Sequence, residues 1–147
     1  MGKIELKVCR LENNIQMPYY ATKGSAGMDL TAGISEPMEF KSMERKLIPT
    51  GIIIELPSGY EAQVRPRSGL SIKFGMTLVN CVGTIDEDYR GEVCVPMINL
   101  SNEIYVVQPG ERIAQIIISP VHQAEITETK ELSTTARSIG GFGSTGK

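Results

Sequence analysis

The sequence predicts an all-β domain, a sandwich or barrel, on three observations. Helix periodicity is nearly absent, short runs rich in Ile, Val and Thr recur, and glycine and proline punctuate them at roughly 8–12-residue spacing. The runs cover residues 7–11, 51–56, 62–64, 77–82, 92–100, 104–107 and 112–119. Turn residues separate them at Pro49-Thr50-Gly51, Pro57-Ser58-Gly59, Pro66 to Gly69, Gly75, Gly83, Pro109-Gly110 and Pro120. Pro109-Gly110 suits a type II turn, where proline presets φ and glycine accepts a positive φ. Residues 67–74 suit one short helix, and the sequence carries no internal repeat.

The 147 residues suit a single domain, and 41% hydrophobic residues are enough to build a core. Fifteen basic against seventeen acidic residues leave a net charge of −2. That balance argues against a broad nucleic-acid-binding surface, which needs excess positive charge. It leaves room for a small anion held by a few placed arginines. Lys3, Glu5, Lys7 and Arg10 interrupt any secretory apolar stretch, and Leu6 stands where a myristoylation signal has Ser or Thr. The longest apolar runs fall far below the ~20 residues that span a bilayer, so a soluble, cytoplasmic protein without membrane partners is expected. Cys9, Cys81 and Cys94 lack metal-ligand spacing and read as three reduced thiols. The Asn99-Leu100-Ser101 sequon is expected to be inert.

Five segments carry chemistry-bearing residues. Ala26-Gly27-Met28-Asp29-Leu30 sets a lone acid among apolar neighbours, which requires a partner because an unpaired buried carboxylate is costly. Pro66-Arg67-Ser68-Gly69-Leu70 offers a guanidinium fork, a hydroxyl and an accessible backbone N–H, all suited to phosphate. Residues 83–92, Gly-Thr-Ile-Asp-Glu-Asp-Tyr-Arg-Gly-Glu, read as a hairpin with Asp86 at a strand end and Tyr89 offering a flat face to a sugar or base. Gly110-Glu111-Arg112-Ile113-Ala114-Gln115 opens the last strong strand; Arg112 and Gln115 differ in parity, so they are expected on opposite faces of the sheet.

The fifth segment is the Thr- and Ser-rich, then glycine-rich, tail. Residues 141–147 fit the first seven positions of a P-loop, but no Ser or Thr for Mg²⁺ and no helix follow Lys147, so that reading is rejected. Glycine-rich backbone beside hydroxyls can still donate several hydrogen bonds to phosphate. The tail reads either as a disordered end or as an arm that orders on a ligand.

Taken together and in this order, residues 26–30, 66–70, 83–92, 110–115 and 137–146 closely resemble the five motifs of the trimeric dUTP diphosphatases, the dUTPases. They spread over nearly the whole chain beyond the first twenty residues. Two departures are minor: Met28 stands where the family often has Tyr or Leu, and Thr84 sits at a variable position.

The resemblance implies a jelly-roll-like, distorted β-barrel over residues 1–132 and a flexible arm over 133–147 that closes on a neighbouring subunit's site. It implies a homotrimer with shared active sites, dUTP as substrate, Mg²⁺ as cofactor and no nucleic-acid partner. Asp86 would be the general base that deprotonates the attacking water. Asn80, Gly83, Thr84 and Ile85 would read the uracil edge, helped by the Cys94 amide, and Tyr89 would pack on the deoxyribose. Arg67, Ser68, Gly69 and Gln115 would hold phosphates. Arg137, Ser144 and Thr145, beside Gly143, would clamp the γ-phosphate, and Phe142 would stack on uracil. Mg²⁺ would sit on the phosphates in a mostly water shell, with Asp29 structural or acting through water. The alternatives are the related dCTP deaminase and a non-catalytic nucleotide-binding trimer.

Overall fold

Branched side chains alternating with polar ones favour extended backbone with one buried face, and the computed structural model, which describes residues 4–141, is built that way. Ten strands and one helix follow in order: β1 (Lys7–Arg10), β2 (Met28–Thr31), β3 (Met38–Phe40), β4 (Arg45–Glu55), β5 (Tyr60–Pro66), α1 (Ser68–Phe74), β6 (Met76–Leu78), β7 (Gly83–Ile85), β8 (Glu92–Asn99), β9 (Tyr105–Val107) and β10 (Arg112–Pro120). One sheet has the order β1-β4-β8-β6, a second β2-β10-β5-β7, and β3 pairs with β9 alone. Every strand pair is antiparallel. The result is the expected all-β, jelly-roll-like architecture.

The core lies between the two four-stranded sheets. On β8 every second residue is buried, sending Val93, Val95, Met97 and Asn99 inward. Ile48, Ile52 and Ile54 of β4 meet them, and Ala62, Val64, Ile113, Ala114 and Ile116 come from the opposite sheet. Burial of these side chains from water is what holds the two layers face to face.

Several expectations need correction. Pro49-Thr50-Gly51 is not a turn between strands but an irregularity inside β4: the register with β8 shifts between Pro49 and Ile53, and the Gly51 N–H is taken by the Glu92 carboxylate at 2.8 Å. The run at 77–82 ends early, since β6 stops at Leu78 and β7 begins only at Gly83. The short strands β2 and β3 were not expected at all. The predicted helix is present, and so is the Pro109-Gly110 turn, with Gly110 at φ 74° and the Glu111 N–H donating to the Gln108 carbonyl at 3.1 Å. No described helix is long and apolar enough to cross a membrane.

Asn99, the first residue of the sequon, has a structural role. Its side chain is fully buried. The amide nitrogen donates to the carbonyls of Phe40 (3.0 Å) and Glu103 (2.7 Å), and the amide oxygen accepts from the Ser101 N–H (2.9 Å) and hydroxyl (2.8 Å). One side chain therefore ties the ends of β3 and β8 to the β8–β9 loop. Asn99→Leu leaves these groups without their partner and is expected to cost at least ~2 kcal/mol, read as a lower urea midpoint at fixed protein concentration.

Candidate active site

Three strand ends converge because β10 lies between β2 and β5. Asp29 of β2 faces Gln115 of β10, and Ala114 faces Pro66 at the end of β5. The Asp29 backbone is also held on its other side, its N–H donating to the Tyr19 carbonyl at 2.9 Å. The chain then turns at Arg67 into α1, so residues 83 positions apart in sequence share one pocket.

The partner that Asp29 requires is a pair of arginines. One carboxylate oxygen lies 3.3 Å from Arg67 Nε, and the other accepts from Arg112 Nη1 at 3.2 Å. Arg67 Nη1 donates in turn to the Arg112 carbonyl at 3.1 Å. The hydrogen bond to Asp29, and then its charge, raises the Arg112 pKa further above its ordinary value. Two guanidinium groups against one carboxylate leave the pocket with a formal excess of one positive charge. Ser68, Gly69 and Gln115 complete it, around a cavity of about 330 Å³. This is a site for an anion with several oxygens.

Arg112 and Gln115 both line this cavity, against the parity expectation. The reason is a bulge. Between Arg112 and Ala114 the strand advances two residues while β2 advances one, from Thr31 to Leu30. Ile113 and Ala114 are both fully buried, so the alternation slips by one and brings Gln115 round to the side of Arg112. Arg112 had been given no role in the site. The signal that could have found it was the unpaired Asp29.

The turn before Arg112 is braced from behind. The Tyr105 hydroxyl donates to the Glu111 carboxylate, which also accepts from the Gln108 N–H at 2.9 Å. Burial, and then this bond, pushes the Tyr105 phenol pKa up. The Tyr105 ring packs against Phe74 of α1 with centroids 5.1 Å apart. The helix that follows Arg67 and the turn that precedes Arg112 are thus linked through Tyr105.

A second cavity, about 360 Å³, opens beside residues 83–92. That segment is not a hairpin. β7 pairs with β5, whereas β8 pairs with β4 and β6, so the segment crosses from one sheet to the other. The crossing leaves a slot between the layers instead of a closed ladder. Val64, Ile85 and Pro96 give it apolar walls, and Asn80, Thr84 and Asp86 bring polar groups to it. Cys94 also lines it as an uncharged thiol, its pKa raised by burial and then by Glu92. Cys9, Cys81 and Cys94 are all unpaired.

Tyr89 borders the same slot and is fixed at its tip, the hydroxyl donating to the Glu92 carbonyl at 3.0 Å. Gly91 makes this possible, because a Cβ there would overlap the tyrosine ring and hydroxyl. Asp86 lies on this cavity and on a neighbouring polar one, whereas none of the residues lining the slot lines the arginine pocket. Arg137 bonds within its own turn, Nε to the Gly140 carbonyl at 2.8 Å, and belongs to neither cavity. Phe142, Gly143, Ser144 and Thr145 lie outside the described residues.

A polar anion pocket, a slot with apolar walls and polar edges, and a carboxylate beside it, all on a jelly-roll frame, suit an enzyme that acts on a phosphorylated ring compound. The family model of the dUTPases matches residues 13–146. The chain is 55% identical to the deoxyuridine 5'-triphosphate nucleotidohydrolase of Aquifex aeolicus, covering 99% of both chains. It is 52% identical to the enzyme of the same name from Fusobacterium nucleatum over the full length of both. A solved structure of a variant dUTPase from Staphylococcus bacteriophage 80alpha with dUpNHpp superposes with a TM-score of 0.89 at 27% identity, covering 99% of this chain and 100% of that one. The chain belongs to the dUTPase family.

The Tyr89–Gly91 contact yields a test. Gly91→Ala is expected to push the Tyr89 ring from its place and raise the KM for deoxyribonucleotide substrate several-fold. Gly24→Ala, where an added Cβ meets open space and the residue borders neither cavity, serves as the control for a substituted glycine.

Proposed function

We propose that this chain hydrolyses dUTP to dUMP and pyrophosphate in sites shared between the subunits of a homotrimer. The observation that carries the reading is the division of one chain into two complementary half-sites with no residue in common. A nucleotide needs both, and in this reading the arginine pocket of one subunit meets the slot of another. The dUpNHpp complex of the bacteriophage relative supports a uracil triphosphate as ligand.

In this reading Arg67, Ser68, Gly69 and Gln115 hold the phosphates, with Arg112 joining them through Asp29. Asn80, Gly83, Thr84, Ile85 and the Cys94 backbone read uracil, and Tyr89 packs on deoxyribose and crowds out a 2′-hydroxyl. A methyl at uracil C5 clashes with the slot. Cytosine presents a donor where uracil has an acceptor and leaves buried groups unpaired, a mismatch that can discriminate by ~10⁴–10⁵. Asp86 takes the proton of the water that attacks the α-phosphorus, a role that typically contributes ~10²–10⁴-fold.

Among the described residues no group of three or more His, Cys, Asp and Glu is gathered for a metal. Both oxygens of Asp29, the carboxylate of the anion pocket, face arginines. This donor set suits Mg²⁺ that arrives on the triphosphate and keeps its waters. The chemistry that Mg²⁺ supplies there is neutralisation of phosphate charge.

The tail completes the site. Among the described residues regular structure ends with β10, and Ile126, Leu132 and Ile139 beyond it are 94%, 85% and 101% exposed. Apolar side chains so exposed suit a segment that lies on another subunit. Residues 133–147 then act as the arm, with Arg137, Ser144 and Thr145 on the γ-phosphate, Gly143 between them, and Phe142 on uracil. The unpaired Cys9, Cys81 and Cys94 support a reducing, cytoplasmic compartment.

Pyrophosphate release across dUTP, dTTP, dCTP and UTP, with and without Mg²⁺, tests the proposal. Turnover is expected for dUTP with Mg²⁺ only, and Asp86→Asn is expected to lose at least ~10²-fold. Ammonia release from dCTP would point to the deaminase, and tight dUTP binding without turnover to a non-catalytic trimer. Truncation after Leu132 is expected to leave a folded trimer by sedimentation with greatly reduced activity. Unfolding of the truncated chain would make the tail structural.

A further inference from the structure

The loop that carries Asp86 is anchored twice on the same neighbouring segment. Before Asp86, the β7–β5 ladder holds Ile85 opposite Ala62. After it, the Glu87 side chain turns back to the β4–β5 turn. One Glu87 oxygen accepts from the Gly59 N–H at 2.6 Å and the other from the Ser58 hydroxyl at 3.3 Å. Asp86 is exposed, so packing does not hold it, and it sits between these two tethers. The loop is closed further by the Tyr89 N–H on the Asp86 carbonyl (3.2 Å) and by Arg90 Nη1 on the carbonyls of Glu87 (2.7 Å) and Tyr89 (2.9 Å). The turn that receives Glu87 is itself fixed, because the Gly59 carbonyl accepts from the Val121 N–H at 2.9 Å, just past the end of β10.

We infer that Glu87 is a positioning residue for the hydrolysis: its carboxylate, clamped on the Gly59 N–H, sets where Asp86 stands relative to the attacking water. The inference rests on the reading of Asp86 as general base. A base must lie within hydrogen-bond reach of the proton it abstracts, and a displacement of about 1 Å can cost ~10²-fold in rate. Glu87 contributes no atom to the slot that would hold the base and sugar, so its loss acts on rate and leaves binding intact. The sequence offered no hint of this role, because Glu87 read only as one of three consecutive acids in a solvated turn.

Steady-state kinetics of pyrophosphate release from dUTP, on full-length trimers verified by sedimentation, test it. Glu87→Ala is expected to lower kcat by ~10–100-fold while KM and the affinity for dUpNHpp stay within about threefold of the parent. Glu87→Gln keeps an oxygen for the Gly59 N–H and is expected to restore kcat to within about threefold of the parent. Parental kcat in Glu87→Ala overturns the inference. Equal damage in Glu87→Gln also overturns it, since the negative charge and not the clamp would then matter. A fall in dUpNHpp affinity that matches the fall in kcat overturns it as well, in favour of a binding role. Asp86→Asn, assayed beside them, separates the two levels. Full turnover there removes the general-base reading and this inference with it. A dead Asp86→Asn beside a normal Glu87→Ala removes only the role of Glu87.

Discussion

The arginine pocket depends on one carboxylate. Asp29 stands near the start of a four-residue strand and faces two guanidinium groups that would otherwise repel each other. Its side chain is 12% exposed, so the pairs sit where water screens them only in part, and an unpaired charge in that place would be costly. Through this group β2, the start of α1 and the start of β10 are drawn to one point. The arrangement leaves the arginines oriented and one positive charge uncompensated. An anion entering the pocket meets donors already in place, which lowers the entropic cost of ordering them.

The second half of the site has a different origin. It exists because the chain between β7 and β8 changes sheets. A hairpin at this position would have satisfied its backbone within its own ladder and closed the gap. The crossing instead leaves the edges of two layers apart, with Asn80 and Thr84 available for a ring edge and Asp86 where the chain departs from β7. Its shape is kept by two tethers to earlier parts of the chain, Glu87 to Gly59 and Glu92 to the Gly51 N–H inside β4, and by one within the segment, Tyr89 to the Glu92 carbonyl. The loop is exposed, and its conformation is set by hydrogen bonds to the β4–β5 turn and to the start of β8, which is itself tied to the interior of β4.

Much of this was legible in the sequence, for reasons that differ by element. β5 and β8 stand out because one-sided burial writes an alternating pattern into the residues themselves, and β1, β9 and β10 because they hold apolar runs bounded by polar or turn residues. β2 and β3 do not, since strands of four and three residues carry too little pattern and form only because β10 and β9 lie alongside. The segments bearing Asp29, Arg67, Asp86 and Gln115 could be picked out by residue type and order. Their grouping into two cavities came only with the resemblance to the dUTPases, because residue type and order do not show which strands pair. The side reached by Gln115 was misjudged for the same reason: parity assumes a regular strand, and Ile113 breaks it.

That break also bears on how the protein can change. Because Ile113 is an extra residue in β10, the pocket depends on the length of this strand as much as on its composition. Another aliphatic side chain at Ile113 preserves the count and keeps both Arg112 and Gln115 in place. Removal of a single residue there would straighten the strand and turn Gln115 or Arg112 away, although every catalytic side chain remained in the chain. Tolerance of substitution and intolerance of insertion or deletion therefore coexist at one position.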